Sequence, residues 1–287
     1  MRLFKMTEVK SPVLFAVGVV VLLGAIGAGL WTLTKAPAPT PVALRPTAPA
    51  SAASVLPASP EAAPSAPAIA YPIDAPAASE AAPLDVNSAI TDLVGRQAAL
   101  SLFQLADFPR RVAATVDNLG RTHAPASLWP VNPASGRVIV TTTNGATTLS
   151  PDNGLRYTPY LLLVENVDMR QAAATYVRLY PLIQRAYEEI GFPGRYFNDR
   201  LVEVLDQLLA TPEPNGPLVV HLPTINGPVR PQRPWVLYEF DDPALQALTA
   251  GQKILLRIGP VNERRMKTRI AEFRRLVARP AGTTPSR

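Results

Sequence analysis

The residues of this chain that could carry out acid–base chemistry are concentrated in one short stretch. Asp199, Glu203 and Asp206 follow one another at spacings of four and three, which places their carboxylates near one face of a helix. Paired carboxylates on one face are the arrangement that general acid–base catalysis of hydrolysis uses. The alternative is a solvent-exposed helix face whose first-turn acids interact favourably with the helix dipole, and we favour this alternative.

A wider polar cluster surrounds these acids and combines hydroxyl, amide, carboxylate and guanidinium groups. Its members are Tyr196, Asn198, Asp199, Arg200 and Glu203. Such a cluster could form a hydrolase site or bind a small polar ligand. The structural alternative is that Asn198 caps a helix and that a tyrosine hydrogen bond or an Asp–Arg pair orients it. We expect capping and orientation.

Other kinds of active site find little support in the sequence. The chain has no cysteine, which excludes thiol catalysis, disulfide bonds and thiolate metal sites. The two histidines, His123 and His221, lie in different segments and lack the close spacing of metal ligands. The sequence contains no P-loop, nucleophile elbow or dinucleotide-binding fingerprint. We therefore expect no metal and no cofactor.

A second candidate surface is the basic helix near the carboxyl terminus. The bases that would form it are Arg264, Arg265, Lys267, Arg269, Arg274 and Arg275. A basic amphipathic helix can contact anionic lipid, an acidic protein partner or an anionic polymer. The alternative, which we favour, is that its apolar stripe packs on the domain while the bases keep it soluble.

Apolar periodicity predicts a long helix before the polar cluster in the chain. This helix runs from Asp168 to Ile190, with Asp168 as N-cap and Gly191 as C-cap. Pro181 lies inside the pattern, so we expect it to kink the helix or divide it. The apolar stripe recurs at spacings of three and four and consists of Met169, Ala173, Tyr176, Tyr180, Ile183, Tyr187 and Ile190.

Shorter elements complete the predicted fold, which is α+β and predominantly helical. The pattern predicts a β-hairpin over Arg137–Thr143 and Ala146–Leu149, because Asn144-Gly145 suits a type I′ turn. Two further short strands are predicted over Leu218–Leu222 and Val236–Phe240. The other predicted helices are two across Asn87–Phe108 broken at Gly95, one over Phe108–Leu119, one from Asn198 to before Pro212, one from Asp242 towards Gly251, and a last one striped by Met266, Ile270, Phe273 and Val277.

An apolar run near the amino terminus predicts a membrane anchor. Val13 to Leu33 contains 21 consecutive apolar or small uncharged residues, enough to cross a bilayer as a helix. Three bases precede it, which favours residues 1–11 as a cytoplasmic tail, 12–34 as a transmembrane helix and everything later outside the cytoplasm. The alternative is a cleaved signal peptide. We favour a retained anchor, because the run is long and the best cleavage site would leave Pro39 first.

The composition then changes twice along the chain. Residues 35–85 are rich in alanine and proline and predict a disordered linker, a semi-stiff spacer with a reach of about 150 Å. Residues 86–279 are predicted to form one globular domain, and residues 280–287 a disordered tail. The sequence thus predicts a domain held away from the membrane on a stalk.

Several strings in the folded part resemble the bacterial domain-of-unknown-function family 3014. They are the residue ranges 115–119 (TVDNL), 179–182 (LYPL), 196–204 (YFNDRLVEV), 208–213 (LLATPE) and 250–253 (AGQK). The resemblance covers roughly Asp85 to Pro260 and implies a membrane-anchored envelope protein of a Gram-negative bacterium. It implies no activity and no catalytic residues. Gly120 stands where the family pattern leads us to expect proline.

Together these features predict a single-pass inner-membrane protein whose periplasmic domain binds or scaffolds an envelope partner. The partner would be a protein or an anionic polymer. We expect no nucleic-acid binding, because the anchor places the domain outside the cytoplasm. The alternative is an envelope hydrolase or small-ligand-binding domain that uses residues 196–206. The sequence predicts no particular oligomeric state.

Overall fold

The computed structural model of the protein describes residues 68–74, 85–224 and 234–279. The predicted transmembrane helix at 12–34, both predicted tails and most of the predicted linker lie outside these residues. Within the described ranges, no helix is both long and apolar enough to cross a membrane.

Nine α-helices and two small antiparallel sheets make up the described part of the chain. The helices are α1 (Val86–Val94), α2 (Arg96–Leu102), α3 (Phe108–Leu119), α4 (Thr158–Asn166), α5 (Met169–Glu189), α6 (Phe197–Leu209), α7 (Pro243–Gln246), α8 (Ala250–Arg257) and α9 (Pro260–Val277). The strands are β1 (Val140–Thr143), β2 (Ala146–Leu149), β3 (Val220–His221) and β4 (Glu239–Phe240). The prediction of a predominantly helical α+β domain is confirmed for these residues.

Four helices, α3, α5, α6 and α9, pack on one another and form the centre of the domain. The stripe predicted on α5 is buried from Met169 to Tyr187, and Ile190 lies half-buried beyond the helix end. The stripe predicted on α9 is buried at all four positions. Removing these apolar stripes from water is the main favourable contribution to folding. Because α5 and α9 pack against α6, only the remaining faces of α6 are available for polar contacts.

Helix α5 shows how packing overrides a local signal. Its N-cap is Asp168, as predicted, with the carboxylate accepting the N–H groups of Arg170 and Gln171. Pro181 lies inside the helix, which continues to Glu189. Of the two expected outcomes, a kink or a division, the division does not occur. Tyr180 and Ile183 on either side are buried in the core, and their packing offsets the loss of one backbone hydrogen bond.

The two sheets lie beside the helical core and are joined to each other. In the β1–β2 hairpin, Asn144 and Gly145 have φ angles of 52° and 82°, which confirms the predicted turn. Strands β3 and β4 pair antiparallel but are shorter than predicted. The Leu149 N–H donates to the Leu218 carbonyl at 2.9 Å and links the sheets.

Two helical regions differ from the sequence prediction. Helix α4 and the 3-10 turn before it (Pro151–Tyr157) were not predicted. The helix predicted from Asp242 towards Gly251 is instead two helices. Asp242 caps α7, and Thr249 then starts α8 with a capping box formed with Gln252. Because this box satisfies the amides of a new first turn, the chain begins a second helix rather than continuing the first.

Candidate functional site

Asn198 does not cap α6, and this prediction is wrong. The helix begins at Phe197, and Asn198 lies inside it with no exposed surface. The Phe197 N–H instead donates to the Gln184 side chain of α5 at 2.8 Å. A neighbouring helix therefore satisfies the first turn, which leaves the Asn198 amide available for contacts in the interior.

The Asn198 amide joins three parts of the molecule. Its Oδ1 accepts from the Tyr176 hydroxyl of α5 at 2.9 Å. Its Nδ2 donates to the carbonyl of Val277, the last residue of α9, at 2.9 Å, and to the carbonyl of Tyr71 at 2.8 Å. Both donors and one acceptor lone pair are used, as a fully buried amide requires. None of these three partners was predicted from the sequence.

Tyr71 belongs to residues 68–74, called the docked segment below, which lie within the predicted disordered linker. The N–H groups of Ala70 and Tyr71 donate to the Asp199 carboxylate at 3.1 and 2.9 Å. The Ile73 N–H donates to the Tyr196 hydroxyl at 2.7 Å. The side chains of Tyr71 and Ile73 pack against the hydrophobic core. The structure therefore differs from the linker prediction here, because this segment makes specific contacts with the domain.

Aromatic rings support the surface that receives the docked segment. The Tyr196 ring lies 5.4 Å from the Tyr180 ring, and the Tyr176 ring lies 5.7 Å from Tyr180 and 6.0 Å from Phe273, between ring centroids. Burial raises the pKa of Tyr176 and of Tyr180, so both phenols stay neutral well into the alkaline range. The Tyr176 hydroxyl thus remains a donor to Asn198.

The three candidate acids of α6 have three different partners. Asp199 accepts from the docked segment. Glu203 pairs with Arg200 at 2.8 Å, and Asp206 pairs with Arg274 of α9 through both carboxylate oxygens. Each carboxylate is therefore held by its own amide or guanidinium group.

Arg200 joins α6 to α3 through a nearly buried carboxylate. Its Nε lies 3.2 Å from an oxygen of Asp117, and its Nη2 donates to the Asp117 carbonyl at 2.9 Å. Only 9% of the Asp117 side chain is exposed, and Arg121 contacts its second oxygen at 2.6 Å. Sequence reasoning missed Asp117 as a site residue, although it lies in one of the strings that carry the family resemblance.

Gly120 leaves the space that the Arg200 guanidinium fills. A Cβ atom at position 120 would lie 2.6 Å from Arg200 Nη2, closer than carbon and nitrogen can approach without a shift. Gly120, which departs from the family pattern, thus lies directly against the Asp117–Arg200 pair.

The bases in the amino-terminal half of α9 form ion pairs with acids of the same domain. Lys267 Nζ lies 2.6 Å from the Thr211 carbonyl, 2.9 Å from Glu263 and 3.1 Å from Glu213. Arg265 forms a two-point pair with Glu165 of α4. Arg264 reaches Glu213 at 3.6 Å, with both side chains largely exposed. These contacts tie α9 to α4 and to the loop after α6.

The three later bases of α9, Arg269, Arg274 and Arg275, have different partners. Arg269 donates to the carbonyls of Val164 and Val167 at the end of α4, where a cation also complements the helix dipole. Hydrogen bonds to Asp206 raise the pKa of Arg274, and the Tyr71 hydroxyl raises it further. Arg275 is exposed, and no acid among the described residues pairs with it. Arg274 thus connects α9 to α6 through Asp206.

The fold and the site together define a mostly helical domain whose polar cluster holds a segment of its own chain. A family model described as "Protein of unknown function (DUF3014)" matches residues 108–274, and the chain belongs to this family. The resemblance stated from the sequence is confirmed. No curated protein and no solved structure matches the chain. The matched range contains the residues that receive the docked segment but not the segment itself.

Proposed function

We propose that the protein is a single-pass inner-membrane protein whose periplasmic domain binds or scaffolds an envelope partner. The apolar run Val13–Leu33 and the bases before it support the anchor and its orientation. The alanine- and proline-rich sequence that follows supports a spacer between the membrane and the domain.

The polar cluster supports binding as the role of the domain. Its side chains contact three N–H groups and one carbonyl of the docked segment. These are main-chain groups, which every peptide presents, so this chemistry suits recognition of a polypeptide. This is the single observation that carries the proposal.

The hydrolase alternative lacks comparable support. It requires two carboxylates that act on one substrate, with one as proton donor and the other as base or nucleophile. Asp199, Glu203 and Asp206 instead each contact a separate group of the protein itself. We therefore propose a binding role and not a catalytic one.

The charge of α9 supports a protein partner rather than an anionic polymer. Arg265, Lys267 and Arg274 form ion pairs with acids of other elements. An anionic polymer would have to break these pairs or bind the few bases that remain exposed. A polypeptide ligand requires neither.

Proximity labelling in intact cells tests this role. A labelling enzyme fused after Arg287 would mark the neighbours of the domain, and a matched control would keep residues 1–85 and lack residues 86–279. We expect at least one envelope protein to be labelled only when the domain is present. The same labelled proteins with and without the domain would contradict a binding role.

Reporter fusions test the orientation separately. A reporter enzyme that is active only outside the cytoplasm, fused after residue 60 or after residue 287, should be active in both positions. A reporter active only inside the cytoplasm should be inactive in both. The opposite pattern would overturn the periplasmic placement without bearing on whether the domain binds a partner.

A further inference from the structure

We infer that the surface formed by Tyr196, Asn198 and Asp199, called the segment site below, is a peptide-binding site with an exchangeable ligand. Its ligand class is a peptide segment in which an aromatic residue, a proline and an aliphatic residue follow one another. The docked segment is its resident ligand and competes with a segment of the same chemistry from a partner protein. This inference deepens the proposed function and rests on the binding role stated there.

The hydrogen bonds of the segment site are made to main-chain groups of a peptide. Asp199 receives the successive N–H groups of Ala70 and Tyr71, and Tyr196 receives the N–H of Ile73. Asn198 donates to the Tyr71 carbonyl between them. Between Ala70 and Ile73, Pro72 is the one position that gives no N–H to the site, so a proline there loses no hydrogen bond and limits φ in advance.

The side chains supply selectivity. Tyr71 and Ile73 are half-buried against the core, whereas 46% of Ile69 is exposed. An aromatic residue followed by proline and an aliphatic residue therefore satisfies the apolar part of the site, while the main-chain groups satisfy the polar part.

Chain connectivity explains why the resident ligand occupies the site. Ten residues, 75–84, separate the docked segment from Asp85, the N-cap of α1. A connection this short holds the segment near the site at an effective concentration on the order of millimolar. A partner segment must compete with that concentration, so occupancy of the site responds to the local abundance of the partner.

Peptide binding to the full chain in detergent micelles tests the inference. The probe is a fluorescent peptide with the sequence of residues 67–75, and its anisotropy reports binding. The proteins are wild type, an opened variant with Tyr71→Ala and Ile73→Ala, and the opened variant with Asp199→Ala added. Ile69→Ala is the matched control, because Ile69 lies in the same segment and is largely exposed.

We expect the opened variant to bind the peptide about tenfold more tightly than wild type or the Ile69→Ala control, because the competing ligand is weakened. Adding Asp199→Ala removes the acceptor of two hydrogen bonds and should weaken binding about tenfold again. A peptide with alanine in place of Tyr71 should not bind. Equal affinities for wild type and the opened variant, or no effect of Asp199→Ala, would overturn the inference.

A second measurement keeps the test valid if the opened variant does not fold. Because the chain has no cysteine, Ile69→Cys offers a single labelling position in an otherwise unchanged protein. A spin label there should become more mobile when excess unlabelled peptide displaces the docked segment. Unchanged mobility at saturating peptide would contradict exchange. Failure of these peptide tests would leave the proximity labelling result untouched, so the two proposals fail separately.

Discussion

Helix α6 carries two polar regions that differ in what they hold. Tyr196, just before the helix, and Asp199 in its first turn contact main-chain groups of the docked segment. On another face of α6, Arg200 donates to the carboxylate and the carbonyl of Asp117 in α3. Both helices belong to the same core. The first region holds a segment that is separated from the domain by ten residues, and the second holds the domain together.

This difference separates binding from stability on one helix. Contacts to the docked segment can be lost while the four central helices stay packed. Loss of the Asp117 carboxylate instead leaves Arg200 between α3 and α6 with only the more exposed Glu203 as its partner, which costs more than the pair itself contributes. Asn198 lies outside the second region but combines the two roles, because it contacts the docked segment as well as α5 and the end of α9.

The largest effect is expected for Asn198→Ala, which removes contacts both to the docked segment and within the core. The change leaves the Tyr176 hydroxyl and the Val277 carbonyl without their buried partner. We expect the free energy of unfolding to fall by about 3 kcal/mol, measured by denaturant titration. Asn166→Ala is the control, since Asn166 is exposed and bonds only within its own helix. A loss for Asn198→Ala no larger than that of the control would contradict the role assigned to it.

Asp117→Ala should damage only the second region. Arg200 would keep Glu203 but lose the nearly buried carboxylate. We expect a loss of about 2 kcal/mol in the free energy of unfolding with peptide binding unchanged. Glu189→Ala, which breaks an exposed pair with Arg185, should have little effect. If the Asp117→Ala protein is fully folded and still binds the peptide more weakly, the two regions are energetically coupled.

Alkaline titration should affect the first region. Burial raises the pKa of Tyr176 and of Tyr180, so the folded state retains these protons above pH 10 and the unfolded state loses them. Their stabilising contribution is complete below about pH 10 and declines above it by about 1.4 kcal/mol per pH unit for each phenol. The ultraviolet absorbance of these two phenolates should rise together with the loss of circular dichroism. Complete ionisation of all tyrosines in the folded state would contradict their burial.

The smallest effect is expected for Gly120→Ala, next to the second region. The added methyl group must displace the Arg200 guanidinium, and we expect a loss of about 1 kcal/mol in the free energy of unfolding. In an Arg200→Met background the cost should shrink, because the displaced group is absent. An equal cost in both backgrounds would mean that Arg200 is not what limits the space.

Regular periodicity made most of the fold predictable. Helix α3 has the predicted bounds, and the stripe of α9 is buried at every predicted position. Helix α4 was missed because Leu161, Leu162, Leu163 and Val164 form a continuous apolar run without helical spacing. Such a run does not distinguish a helix from a strand.

The candidate site was less predictable, because its partners are distant in sequence. Asparagine near a helix start usually caps it, yet tertiary packing buried Asn198 instead. The ion pairs of Arg265 and Arg274 depend on acids from other helices, which helical spacing does not reveal. One signal for the docked segment was present. Ile69, Tyr71 and Ile73 alternate with other residues, and Tyr71 is the single aromatic residue between positions 36 and 85.

Amide hydrogen exchange on the full chain tests most directly whether the segment site binds residues 68–74. The amides of Tyr71 and Ile73 should exchange at least about tenfold more slowly than expected for an unstructured peptide. Asp199→Ala should remove the protection of Tyr71, whereas Glu203→Ala, which changes an acid that does not contact the segment, should leave it unchanged. Exchange of Tyr71 and Ile73 at the unstructured rate in wild type would contradict the account.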